Sequence, residues 1–198
     1  IETSDKGYAI TGWTNSLGMH ESKVYLIKTD SLGNIEWTKG YGPSAWGYSL
    51  AQTFDKGFAI IGYSNYYYNV YLIKTDSLGD SIWTQTYGGW DWDFGRCVKQ
   101  TPDSGYILTG DAWSFGAGWS DIYLIKTNAT GDTIWTKTYG GSSTDIAHSI
   151  QPKNNGGYIV AGSTQSHDGD LEGHDYVGKA IWIISINDSG VLIWENIY

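Results

Sequence analysis

The sequence predicts an all-β protein: a β-propeller built of four-stranded antiparallel blades, four of them in this chain. Three observations carry that expectation. Three blocks of residues recur in the same order four times, which is the signature of a repeat architecture. The composition suits pleated, half-buried strands, with 11 Trp and 16 Tyr against a single Met. Gly, Asp and Asn stand between the blocks, where tight turns need them.

The first block is Gly-aromatic-x-Ile/Leu, at Gly7-Tyr8, Gly57-Phe58, Gly105-Tyr106 and Gly157-Tyr158, in steps of 50, 48 and 52 residues. The second is Tyr-Leu-Ile-Lys-Thr from Tyr25, Tyr71 and Tyr123, which decays to Trp182-Ile183-Ile184-Ser185-Ile186 in the last copy. The third carries Trp37, Trp83, Trp135 and Trp194. With the small-residue segment before each Gly-aromatic block, every copy resolves into four short strands. That segment holds Gly47 and Ser49, Gly95 and Cys97, Ala147 and Ser149, side chains small enough for an inner strand near a crowded axis. The fourth strand alternates, with Ile82, Thr84 and Thr86 on one side and Trp83, Gln85 and Tyr87 on the other, as an outer strand should. The blades fall at about 1–42, 43–89, 90–141 and 142–198, within one domain.

Turns at Asp5 to Gly7, Asp30 and their equivalents are short and uniform, whereas the connections on the opposite face vary in length. Uniform turns on one face and irregular loops on the other describe a scaffold with one specialised surface.

Charge and composition exclude some functions. A formal net charge of −9, from 12 basic and 21 acidic residues, repels phosphate backbones, so no nucleic-acid partner is expected. No apolar run approaches the roughly 18 to 20 residues that span a bilayer, so no membrane insertion is expected. Without a starting Met or a signal peptide, the sequence reads as a processed chain or a fragment. Cys97 is the only cysteine and takes the place of Ser49 and Ser149, which reads as buried packing.

These blocks resemble a family of highly repetitive propeller proteins from secreted and cell-surface bacterial proteins. The resemblance covers essentially the whole chain and is closest at Asp121 to Ile150, where Tyr139-Gly140-Gly141 leads to Asp145-Ile146-Ala147-His148-Ser149-Ile150. The second copy departs from the pattern, because Pro43-Ser44-Ala45-Trp46 lacks the aspartate that Asp93 and Asp145 supply. The resemblance implies an exported protein, extracellular or at the cell surface. It brings no catalytic residues.

Two groups of residues are candidate sites. Trp46, Tyr67, Trp90, Trp92, Trp113 and Trp119 lie on the irregular loops, where flat rings can stack on sugars or anchor a protein interface. The competing reading is that they pack the gaps between blades. The insert around His167 holds Asp168, Asp170, Glu172 and Asp175 at spacings that can wrap a calcium ion with oxygens. An acidic, solvated loop accounts for the same residues. Asn128-Ala-Thr130 and Asn187-Asp-Ser189 match glycosylation acceptors, but they replace turn aspartates Asp30 and Asp76, and turn chemistry explains them.

The histidines occupy unrelated repeat positions, so no catalytic triad is assembled and no enzyme activity is expected. No cofactor is required, calcium being the one candidate. The function expected is an extracellular binding or scaffold module that recognises a glycan or a protein through its irregular face. The alternatives are a self-assembling structural protein of a surface fibre or coat and, remotely, a hydrolase.

Overall fold

Four groups of sequence-adjacent strands form four antiparallel sheets, one for each copy of the repeat. The computed structural model describes residues 1–16, 21–64 and 68–198. The first sheet has three strands, β1 (Tyr8–Thr14), β2 (Lys23–Thr29) and β3 (Ile35–Tyr41). The second holds β4 (Ala45–Gln52), β5 (Phe58–Ser64), β6 (Asn69–Thr75) and β7 (Ser81–Tyr87). The third holds β8 (Asp93–Gln100), β9 (Tyr106–Ala112), β10 (Asp121–Thr127) and β11 (Thr133–Tyr139). The fourth holds β12 (Asp145–Pro152), β13 (Tyr158–Thr164), β14 (Ala180–Ile186) and β15 (Leu192–Ile197). Spatial order follows chain order in every sheet, so neighbours are joined as antiparallel pairs. Each Tyr-Leu-Ile-Lys block and its Trp182 counterpart falls on the expected strand, in β2, β6, β10 and β14.

The turns form for the reason their sequences suggest. Asp30 Oδ1 accepts the backbone N–H groups of Leu32 and Asn34 at 2.8 and 2.9 Å. Asn128 Oδ1 accepts those of Thr130 and Asp132 at 2.9 and 2.8 Å, the same Asx turn with an amide in place of the carboxylate.

The lysines of the Tyr-Leu-Ile-Lys blocks are buried, at 4, 5 and 6% exposure for Lys28, Lys74 and Lys126. Each Nζ reaches the aspartate of the turn before the Gly-aromatic strand, at 2.8 Å for Asp5, Asp55 and Asp103. Each also donates to the next carbonyl along, Thr29, Thr75 or Thr127, at 2.8, 2.6 and 2.9 Å. In the fourth sheet Ser185 stands at this position, and Lys153 reaches its hydroxyl at 3.0 Å from the facing turn.

The apolar core lies in three layers between successive sheets. Val24 and Leu26 of the first sheet meet Phe58, Ile60 and Ile73 of the second. Ile61, Val70 and Leu72 meet Val98, Tyr106 and Leu108 of the third. Ile107, Ile122 and Leu124 meet Val160, Trp182 and Ile184 of the fourth. The middle sheets are therefore buried on both faces, and β5 and β9 are buried along most or all of their length, Thr109 and Asp111 included. The last strand of each of the first three sheets also seats on the next sheet. Tyr41 and Tyr87 donate their hydroxyl to the carbonyls of Gly79 and Gly131, each at 2.7 Å, and Tyr139 does the same to Gly190. Trp37, Trp83 and Trp135 lie over those same glycines, and a Cβ on Gly79 would come within 2.6 Å of the Trp37 ring. These glycines also have positive φ, so two constraints select the residue.

The first strand of each complete sheet carries a β-bulge, between Gly47 and Ser49, Gly95 and Cys97, and Ala147 and Ser149. Tyr48, Arg96 and His148 are thus the unpaired residues, a shared role hidden by their different chemistry. Cys97 is buried, as expected. No described helix is long and apolar enough to cross a membrane.

Candidate binding face

Strand ends and irregular connections together gather aromatic side chains into one ridge over the first three sheets; Trp46, expected on a loop, stands in β4 because its backbone pairs with Tyr63. It runs from Trp13 at the end of β1 through Trp46 of β4 and Tyr63 of β5 to Tyr68. It continues to Trp92, before β8, and then to Trp113 and Trp119 in the connection between β9 and β10. Successive ring centroids are 6.3, 4.8, 6.2, 5.1, 5.9 and 6.0 Å apart. Trp46 lies flat on Tyr63 with 8° between the planes, and Phe94 meets Tyr63 edge-on at 4.9 Å. Burial, with Tyr48 beside it, pushes the Tyr63 hydroxyl up to about 12.

The structure brings four of the six aromatic residues expected at the site into this ridge: Trp46, Trp92, Trp113 and Trp119. Trp90 projects from the neighbouring connection, 99% exposed. Tyr67 lies outside the described residues. Trp119 is 66% exposed and Trp92 48%, whereas Trp46 is half-buried. The ridge therefore has half-buried rings beside exposed ones. Tyr48, Tyr63 and Phe94 were not legible as members. They stand on strands β4, β5 and β8, where an aromatic residue reads as ordinary strand packing.

The loops that carry the ridge are tied together. The Trp113 N–H donates to the Trp92 carbonyl at 2.8 Å, and the Asp91 N–H donates to Ser114 Oγ at 2.9 Å. Arg96 pairs with the buried Asp111. Burial, with Arg96 and Lys179 nearby, holds the His148 imidazole below its usual value.

The four acidic residues of the insert are not brought together. Asp168 accepts the Ser142 N–H at 2.6 Å and Asp170 accepts the Gly140 N–H at 2.9 Å, while Glu172 and Asp175 are exposed. Among the described residues, no group of three or more His, Cys, Asp or Glu side chains is placed to hold a metal ion. Instead the insert folds back as a clasp over the third sheet. Leu171, at the end of a short 3-10 helix (Gly169–Leu171), is fully buried in the layer between the third and fourth sheets.

Under that clasp two carboxylates crowd one point. A Cβ on Gly140 would lie 2.0 Å from Asp121 Oδ1 and 2.5 Å from Asp145 Oδ2. At the equivalent Gly88 the pair is Asn69 and Asp93, each 2.4 Å from the corresponding point. An amide can donate to a carboxylate, but two carboxylates have no proton to share unless one keeps its own. Burial, with Asp145 and Asp170 adjacent, pushes Asp121 up to about 7, against the pull of the Ala117 N–H.

Comparison with known proteins adds a fold but no activity. Searches of protein families and of curated proteins find no match. Among solved structures, the chain is similar to a protein of unknown function from Bacteroides caccae, with a TM-score of 0.50 and 9% identity. That likeness covers 90% of this chain and 78% of the other, and at such identity it speaks to the all-β fold alone.

The Asp121 carboxyl makes stability depend on pH. The folded chain keeps this proton to about pH 7, whereas an unfolded aspartate releases it near pH 3.9, about three units lower. Between those values the folded state binds more protons, so stability falls as pH rises. Asp121→Asn, which copies the Asn69 arrangement, should flatten this fall. Thermal melts from about pH 4 to pH 7 check it, and an unchanged slope in the variant would place the titration elsewhere.

Proposed function

We propose that the four sheets are consecutive blades of a β-propeller and that the chain is an extracellular binding module. It recognises a glycan or a protein through the loop face. The observation that carries this reading is the aromatic ridge. A contiguous set of half-open indoles is more apolar surface than a solvated face needs, and such patches mark interaction sites. Packing of each sheet on the next through the same Tyr and Trp seat supports the propeller arrangement. The resemblance to repetitive secreted and cell-surface proteins supports the location.

A glycan array with the unmodified chain and with the Trp113→Ala, Trp119→Ala double variant tests the reading. Binding should be lost in the variant while its melting transition stays cooperative. Binding retained by the double variant contradicts a role for the ridge, and an unmodified chain that binds no glycan leaves the protein partner.

Self-assembly is the second reading, and a different observation favours it. Trp194 and Tyr198 repeat the spacing of Trp135 and Tyr139, yet they are 45 and 72% exposed. At the other end, a Cβ on Gly33 would meet nothing within 4 Å, whereas its equivalents Gly79, Gly131 and Gly190 each lie under a tryptophan. One molecule thus presents the key and another an open seat, a head-to-tail contact that gives a ring or a filament. Light scattering should show mass above 21.9 kDa that falls to the monomer value in Trp194→Ala. A monomer at all concentrations contradicts this reading.

A further inference from the structure

Two junctions between sheets share one arrangement, and only one of them has a remedy within the chain. At each junction the first residue of a third strand meets the first residue of the next sheet. Asn69 of β6 meets Asp93 of β8 beside Gly88, and Asp121 of β10 meets Asp145 of β12 beside Gly140. Among the described residues, the buried side-chain atoms without a hydrogen-bond partner are Asn69 Oδ1, Ser120 Oγ and Asp145 Oδ1, all at these two places. A buried oxygen without a donor is costly, and folds meet it with a hydrogen bond, a water or an ion.

At Gly88, turning the Asn69 amide over sets an N–H against Asp93. At Gly140, no rotation of Asp121 supplies a donor. Asp121 and Asp145 are 2 and 0% exposed, and their facing oxygens crowd the place of a Gly140 Cβ. Asp121 Oδ2 accepts the Ala117 N–H at 2.7 Å, while Oδ1, the oxygen turned to Asp145, accepts nothing among the described residues. Asp145 Oδ2 already accepts the Gly141 N–H at 2.9 Å and the Ser166 hydroxyl at 2.7 Å, which fills its lone pairs. A proton on Asp121 removes the repulsion, but the oxygen facing it has no lone pair left, and Asp145 Oδ1 still lacks a partner.

We infer that Asp121 and Asp145 together hold a calcium ion between the third and fourth sheets. Their facing oxygens lie 2.0 and 2.5 Å from one point. They are thus within the span of about 5 Å that separates two ligands of one calcium. The ion answers both carboxylates at once, and a carboxylate can give it one oxygen or both. Calcium takes 6 to 8 oxygens, and water supplies the rest. A pocket of about 290 Å³ opens beside Asp121, lined by Gly116, Thr138, Gly140 and Asp170. Asp170 adds negative charge to its wall, although its Oδ2 is taken by the Gly140 N–H. Magnesium needs shorter bonds in a strict octahedron and sheds water reluctantly, so the larger ion fits this site. With two protein carboxylates, the affinity belongs with extracellular calcium modules, at about 10⁻⁴ to 10⁻³ M.

Thermal melts of the full chain test the site. The ion and a proton on Asp121 exclude each other, so the buffer is mildly alkaline. Melts are compared in about 10 mM CaCl2, in chelator, and in NaCl of equal ionic strength. Calcium should raise the Tm by about 5 °C or more, the mass-action gain near 100 times Kd, and NaCl should not. Asp121→Asn copies the Asn69 pairing, so it should fold and lose the rise. Glu172→Gln with Asp175→Asn changes only exposed carboxylates of the insert and should keep it. Should the Asp121 variant fail to fold, carbon-detected NMR of the unmodified chain decides. The Asp121 and Asp145 carboxyl signals should then move on calcium titration ahead of those of Glu172 and Asp175. No rise with calcium, an equal rise with NaCl, a rise kept by Asp121→Asn, or first movement in the insert would overturn the inference.

Discussion

A buried ammonium group holds each of the first three sheets together at its hairpin end. Lys28, Lys74 and Lys126 project from the third-strand block into the space between two turns, and each Nζ takes a carboxylate from one turn and a carbonyl from the other. A charge without water needs such partners, since an unpaired buried cation would shed its proton or the fold. The same carboxylate also accepts the Gly7, Gly57 or Gly105 N–H, so one aspartate shapes its turn and anchors the lysine. Burial alone would raise Asp103, but Lys126, the Thr101 hydroxyl and the Gly105 N–H outweigh it and bring it down to about 2. These aspartates are more than half exposed, so solvent screens part of the attraction. Both hairpins of a sheet therefore answer to one cation, and the strand register between them follows.

With the hairpin end of every sheet constrained, the sheets stack on one another through side chains that repeat as faithfully as the strands. The hydroxyls of Tyr41, Tyr87 and Tyr139 and the indoles beside them all close on the turn of the next sheet. This leaves the opposite connections free to vary. Their variation is not random in space: it delivers rings from three sheets to one ridge. The insert of the fourth sheet follows a different course, with Leu171 driven into the core and its aspartates bonded to the backbone of Gly140 and Ser142.

Most strands were legible because their periodicity and turn chemistry agree. Gly-aromatic pairs, Asx turns and the alternating fourth strand each point to the same four-stranded unit; three copies form it, and the first forms a sheet of three strands instead of the expected four. The fate of the lysines was not legible, because a Lys at the end of an apolar run usually reads as the point where a strand meets water. Only the distance from Lys74 to an aspartate 19 residues earlier reverses that reading. The ridge was half legible. Loop tryptophans such as Trp113 and Trp119 declare themselves, whereas Tyr63 and Phe94 stand on strands and join through ring contacts with Trp46 and with each other, which the sequence alone does not show. The acidic insert misled for a related reason: spacing along a loop does not say whether carboxylates turn towards one another or back to the main chain.

Observation of the side-chain ammonium groups by nitrogen-resolved NMR tests the central constraint most directly. Lys28, Lys74 and Lys126 should give slowly exchanging ammonium signals, while the exposed Lys6 and Lys56 exchange with water too fast to be seen. Each protected signal should disappear when its own lysine is replaced by Met. Ammonium signals from the three blocks that exchange as fast as those of Lys6 and Lys56 would contradict the account.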